Sequence, residues 1–332
     1  MKILISKRHV TRFYIATVAA ILILILFWHS QLQKKVPKED TSGAILKDQH
    51  LAIKEATLEK NWKFALDCSL IYTWANGSIK EHQESYIPFW LNTSHPRVQV
   101  VNQSILVDEE DNPTFNTNAI EQNFYKIPGL TKHFIAINDD IFFSRNLEPV
   151  DFFTKDGGVN FFFGNVPINQ NIVYNHHVLE SRKSTAKALI KKFNIRNQIF
   201  NTRHAPFVYH KEVFPLMKRL FAEELKNTSS HKFRHKDDLI TPLLHHYTTM
   251  YAKELDHLHW KYLKDTEMED FFMMSVTDDL SKVLKKYEEI RKKKPKFFNL
   301  NDDFTNSSIA IEMKKFLSEM FNEICFFENG FE

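Results

Sequence analysis

The chain has 332 residues, 26% charged and 43% hydrophobic, with 30 Phe against seven Gly. This excludes collagen-like, low-complexity and small disulfide-scaffold classes and supplies enough large apolar side chains for a substantial core. The formal net charge of +3 is local, because residues 1–40 carry seven Lys/Arg and two acids and leave 37 basic against 39 acidic residues beyond. That near-neutral body offers no electrostatic case for a nucleic-acid partner.

Phe13 to Trp28 is an uncharged run of 16 residues. As a helix it spans about 24 Å at about 1.5 Å per residue, which suits a thin early-secretory bilayer. No small-x-small cleavage pattern follows Trp28, so the run reads as an uncleaved signal-anchor. Lys2, Lys7, Arg8 and Arg12 precede it, while Glu39 and Asp40 offset the lysines that follow. This charge bias predicts a cytoplasmic tail (1–12), a span (13–28), a stem (29–61) and a lumenal body (62–332), the plan of a single-pass type II protein. Five Asn-x-Ser/Thr triplets, at Asn76, Asn92, Asn102, Asn227 and Asn306, agree with a lumenal body. Cys68 and Cys325 allow one disulfide or a free buried pair.

Leu66 to Trp74 reads as a buried strand broken by the turn chemistry of Ala75-Asn76-Gly77-Ser78. Val98 to Val101 reads as a second short strand. A helix is predicted over Asn116 to Phe124 and stopped by Pro128-Gly129. His133 to Asn138 is an apolar strand running straight into Asp139-Asp140. Helices are further predicted from about Lys211 to Lys226, after Asp238, and through Leu280 to Lys294. A last strand, Phe297 to Leu300, precedes Asn301-Asp302-Asp303 and a helix over Ile309 to Phe321.

In an open α/β sheet, ligands bind beyond the carboxyl ends of strands, so Asp139 and Asp140 are placed to hold a divalent cation bridging phosphate oxygens; the alternative is a simple cap. His204 and Arg234 each stand ahead of a predicted helix. The first has the chemistry of a general base, the second that of a two-point phosphate clamp. The pairs His176/His177, His245/His246 and His257/His259 lack the spacing of a zinc site.

Together these segments resemble the Stealth family, which contains bacterial capsule hexose-1-phosphate transferases and the animal N-acetylglucosamine-1-phosphotransferase alpha/beta subunit. The resemblance runs through four blocks in order: Ile71 to Ser78; Thr114 to Asp140 with Phe142-Phe143; His204-Ala-Pro206 with Phe233-Arg234 and Asp237-Asp238; and Lys296 to Asp302. It implies an α/β fold with a mostly parallel sheet flanked by helices, of the nucleotide-sugar transferase kind. It also implies transfer of a sugar 1-phosphate, typically from UDP-N-acetylglucosamine, to a hydroxyl of a glycan or glycoprotein acceptor, for example mannose, in the Golgi or another secretory membrane. Mg²⁺ or Mn²⁺ would assist and UMP would leave. By the resemblance, Glu121, Asp140, His204 and Arg234 are the catalytic positions. Trp74, Asn76, Gly77 and Asn138 fall in the substrate-binding blocks, and Asp139, Asp140 and Asp302 in the metal-binding ones. One departure stands out: a helix and a strand of the family pattern are missing between Gly77 and Pro88. That leaves a metal-dependent glycosyltransferase, or an inactive Stealth-like binding protein, as alternatives.

Overall fold

The structure, a computed structural model, describes residues 68–73, 91–264, 271–323 and 327–329. The predicted tail, span and stem, the segment 74–90 with Trp74, Asn76 and Gly77, and Cys325 lie outside the described residues. Among the described residues no helix is long and apolar enough to cross a membrane.

The elements run β1 (Cys68–Thr73), α1 (Thr117–Glu121), β2 (His133–Asn138), β3 (Ile141–Phe143), β4 (Val159–Pro167), α2 (His177–Phe193), β5 (Phe200–Thr202) and β6 (Phe207–His210). They continue α3 (Val213–Leu220), α4 (Ala222–Ser230), α5 (Thr241–Tyr251), β7 (Trp260–Lys264), β8 (Phe271–Val276), α6 (Leu280–Lys293), β9 (Phe297–Asp302) and α7 (Ser307–Met320). The α/β class is as expected, but the mostly parallel sheet is not. Three three-stranded sheets form instead, ordered β1-β2-β6, β3-β9-β8 and β5-β4-β7. Each contains one parallel and one antiparallel pair. The reason lies in the connections. A parallel neighbour needs a crossover of a dozen residues or so. Here β2 passes to β3 through Asp139-Asp140 alone, and β5 to β6 through Arg203 to Pro206, each link moving the chain into another sheet.

Two further expectations change. Val98 to Val101 forms no strand; Val98 and Val100 pack on the central core as irregular chain. The helix expected over Lys211 to Lys226 divides at Phe221, whose backbone (φ −125°, ψ 38°) leaves the helical region while its ring is fully buried. Burying a Phe is worth about 1.5–3 kcal/mol, enough to outweigh one interrupted helical turn.

Other boundaries follow from local chemistry. The Asn116 side chain caps α1 by accepting from Asn118 N, Asp279 caps α6 by accepting from Lys282 N, and Asn306 caps α7 by accepting from Ser308 N. Asn194 ends α2 in the left-handed region at φ 52°.

Phenylalanine pairs join the strands across the core. Phe134 lies opposite Tyr209 in the β2–β6 register with ring centroids 5.2 Å apart, and Phe142 opposite Phe298 in the β3–β9 register, also at 5.2 Å. These two ladders fix the strands on either side of the Asp139-Asp140 turn, where β2 ends and β3 begins.

Candidate active site

Strand register alone brings the first two groups together. β6 runs antiparallel to β2 with Ala136 opposite Phe207, so the residues leading into β6 arrive beside the end of β2. There His204 Nε2 lies 3.1 Å from Asp140 Oδ1 and 3.0 Å from Asp140 Oδ2. Burial would raise the Asp140 carboxyl, but the His204 hydrogen bond and charge and the Asn299 amide outweigh it and hold it below the usual carboxylate range. An ionised carboxylate only accepts, so Nε2 carries the hydrogen, and in the neutral ring Nδ1 is left as the basic nitrogen.

β9 supplies the third group. It runs antiparallel to β3 with Ile141 opposite Asn299, and Leu300 N donates to Asp140 O at 3.0 Å. β9 ends at Asp302, close enough to Asp139 for its charge to act there. Crowding by protein, then the Asp140 charge, and further down the Asp302 charge push Asp139 up to about 7. Its side chain is open at the surface, so water offsets part of the crowding and the like charges matter more. Among the described residues no three His, Cys, Asp or Glu side chains close on one point as a preformed metal cage. Two hard oxygen donors whose charges strain each other still suit Mg²⁺ or Mn²⁺, which commonly use one or two carboxylates with water and substrate phosphate in the remaining positions. Asp139 and Asp302 could serve as that pair, since His204 occupies both oxygens of Asp140.

Glu121 and Arg234 form the opposite wall. Burial pushes the half-buried Glu121 up to about 7 against the opposing positive charges of Arg234 and His204. Arg234 Nε donates to Thr117 Oγ1 at 2.9 Å. Thr117 and Glu121 lie four residues apart on α1 and so share a face. Arg234 itself is exposed. Asn138, the last residue of β2, pairs with Thr73 at the adjoining end of β1. The structure thus gathers Glu121, Asp139, Asp140, His204, Arg234 and Asp302 around the ends of β2 and β9.

Three supporting residues are absent from the sequence-level set. Asn299, fully buried between Phe298 and Leu300 in β9, donates Nδ2 to Asp140 O at 3.1 Å and steadies the turn. The Arg203 guanidinium stacks over Phe271 with 4.4 Å to the ring centroid. Asp238 is fully buried four residues beyond Arg234 in the chain. Asn299 was detectable in principle, because an amide inside Phe-Phe-Asn-Leu must find a partner.

Residues 73–161 match the profile of Stealth protein conserved region 2, and residues 203–251 that of Stealth conserved region 3. The chain resembles the Stealth family and carries its conserved regions 2 and 3. Stealth region 2 carries Glu121, Asp139 and Asp140, and region 3 carries His204 and Arg234, so the Asp140–His204 pair is a contact between the two regions. Asn299 and Asp302 lie outside both matched stretches and are brought in by β9.

Curated relatives point the same way. An exopolysaccharide phosphotransferase of Streptomyces coelicolor is 36% identical over 164 residues, covering 48% of this chain and 28% of that protein. A capsular polysaccharide phosphotransferase of Neisseria meningitidis serogroup B is 32% identical over 162 residues, covering 46% and 42%. That of Haemophilus influenzae is 30% identical over 162 residues, covering 47% and 44%. The chain therefore spans less than half the length of these relatives.

Proposed function

We propose that this Stealth-like protein transfers a sugar 1-phosphate from a nucleoside diphosphate sugar to a hydroxyl of a glycan, with UDP-N-acetylglucosamine as donor, a glycan or glycoprotein such as a mannose-bearing one as acceptor, and UMP as the leaving product. The observation that carries the reading is the His204–Asp140 pair, with Nε2 held at 3.0 and 3.1 Å by both carboxylate oxygens. It gives the imidazole one orientation and one tautomer.

In the reaction, the acceptor oxygen attacks the phosphorus that bears the sugar. The bond from that phosphorus to the bridging oxygen breaks, and UMP takes the bonding pair. The acceptor proton passes to His204 Nδ1, and Asp140 stabilises the imidazolium that results. Arg234 offers a planar fork to the equatorial phosphate oxygens, where transition-state charge spreads. Glu121, at about 7, is the second group able to hold or give a proton near neutral pH. Asp139 and Asp302 would hold Mg²⁺ or Mn²⁺, which when bound neutralises phosphate charge.

Product analysis tests the reading. UMP released in proportion to acceptor marks transfer of phosphate with the sugar. UDP marks plain glycosyl transfer and would replace this reading with the glycosyltransferase alternative. The proposal also places the body in the secretory lumen behind residues 13–28. Protease protection of the body in sealed microsomes supports that placement, and digestion from the cytosolic side refutes it.

A further inference from the structure

We propose that Asp238 is a positioning residue for Arg234, an inference that rests on the phosphate-clamp reading above. Asp238 is 0% exposed, and a buried carboxylate is costly unless its lone pairs are filled. Here they are. Oδ2 accepts from Asn116 Nδ2 at 2.8 Å, from Asn118 Nδ2 at 3.3 Å and from His235 N at 2.8 Å, while Oδ1 meets His231 Nδ1 at 2.7 Å.

The partners fall into two sets, and that division carries the argument. Asn116 and Asn118 flank Thr117 at the start of α1. His231 and His235 bracket the segment that holds Arg234. One carboxylate therefore staples together the two pieces of chain whose meeting is the Arg234 Nε to Thr117 Oγ1 hydrogen bond, 2.9 Å. The seam continues on both sides: Phe115 N donates to Lys232 O at 2.8 Å, and from α2 Ser181 Oγ donates to His235 O at 2.7 Å. Arg234 is long and exposed, so its stance beside Glu121 depends on this fixed base; an arginine free to sample rotamers loses entropy on binding that a held one has already lost.

A double-mutant cycle on the full chain separates positioning from plain structural support. Wild type, Asp238→Asn, Arg234→Ala and the double variant are titrated calorimetrically with UDP-N-acetylglucosamine, and UMP release is followed in parallel. Asparagine keeps the volume but removes the charge that all four contacts share, and its NH₂ either faces the amide donors or forces His231 Nδ1 to become an acceptor, so the seam loosens. In the wild-type background donor affinity should fall on the order of tenfold, the scale of a disturbed hydrogen bond to a charged group. In the Arg234→Ala background the same change should cost less than about twofold. Equal losses in both backgrounds, or no loss in the first, overturn the proposal. Should Asp238→Asn fail to fold, Thr117→Val removes the hydroxyl that Arg234 grips, leaves the buried carboxylate intact and runs the same cycle with the same expectations. Donor binding without UMP release would sink the transfer reading while the cycle still decides Asp238. A wild-type chain that binds no donor would overturn both.

Discussion

Asp140→Asn is the sharpest probe of the site, because the two roles open to that carboxylate predict different failures. The turn itself should survive. It is held through the Asp140 main-chain carbonyl by Leu300 N at 3.0 Å and Asn299 Nδ2 at 3.1 Å, and neither contact needs the side chain's charge. What is lost is the acceptor pair around His204 Nε2. An asparagine can turn its NH₂ towards the ring, and Nε2 would then become the acceptor and Nδ1 the protonated nitrogen. A base in the wrong tautomer, with its counter-charge gone, costs about 10³- to 10⁴-fold in kcat, or about 4–5.5 kcal/mol at about 1.36 kcal/mol per decade. The assay is UMP release at saturating donor across a range of Mn²⁺ concentrations. The tautomer argument expects a loss of kcat that added metal does not restore. If Asp140 were instead a metal ligand, activity would return as Mn²⁺ rises. Recovery by metal, or unchanged turnover, refutes the assignment.

Two other consequences follow. Arg234→Lys keeps the charge but loses the two-point fork, so donor affinity and turnover should both fall. His204→Ala should lower kcat about 10²- to 10⁴-fold with donor binding nearly intact, and the opposite pattern would exchange the two roles. Stability should also fall in acid. Burial holds His210 down to about 2 and His246 down to about 3, and His245 well below its ordinary value. Their folded values lie below the unfolded value of about 6.5, so stability is full above it and is lost progressively as pH falls, by at most about 1.4 kcal/mol per unit for each histidine that must stay neutral. Glu121, raised to about 7, works in the opposite sense: its burial penalty is relieved below that value and returns about 2.5 kcal/mol by pH 5. Denaturant melts should show Glu121→Gln losing about 2.5 kcal/mol more than wild type between about pH 7.5 and 5, since Asp139, also raised to about 7, offsets the histidines equally in both. Identical pH dependence in the two would contradict the buried state of Glu121.

How much of this was legible in the sequence depends on distance along the chain. His133 to Asp140 could be read directly, because an apolar run ending in two acids is a local pattern. The start of α1 near Asn116 could be read for the same reason, although the helix ends at Glu121 and not at Phe124. The Asp140–His204 contact could not be derived from spacing, since it depends on β6 pairing antiparallel to β2 with Ala136 opposite Phe207; the family resemblance, not periodicity, nominated His204. Directions of strands were lost too. The helix between β4 and β5 suggests a parallel crossover, yet the pair is antiparallel. Val98 to Val101 has strand composition but packs Val98 and Val100, half-buried, against the core as irregular chain. Phe221 breaks a helix for a tertiary reason that no window of neighbours contains.

Charge balance gives the strongest argument for a cation at this site. Glu121, Asp139, Asp140 and Asp302 face Arg234 and His204, and a nucleoside diphosphate sugar adds about two more negative charges. At 4 Å and an effective dielectric of about 20, each like-charge contact costs about 4 kcal/mol, so donor phosphates cannot settle beside Asp139 and Asp302 without compensation. Burial first, and then the Asp140 and Asp302 charges, already push Asp139 upward without substrate. Asp139 follows Asn138 and precedes Asp140 in a two-residue turn, which lets adjacent carboxylates face different partners: one His204, the other the end of β9. Donor titrations in Mn²⁺ and in chelator should therefore differ by about 10- to 100-fold in Kd. Asp139→Asn and Asp302→Asn should each raise the Mn²⁺ concentration needed for half-maximal turnover while leaving the Asp140–His204 pair in place. Full affinity and full turnover in excess chelator would remove the metal from the mechanism and leave Arg234 and protonation of Glu121 to balance the phosphate charge.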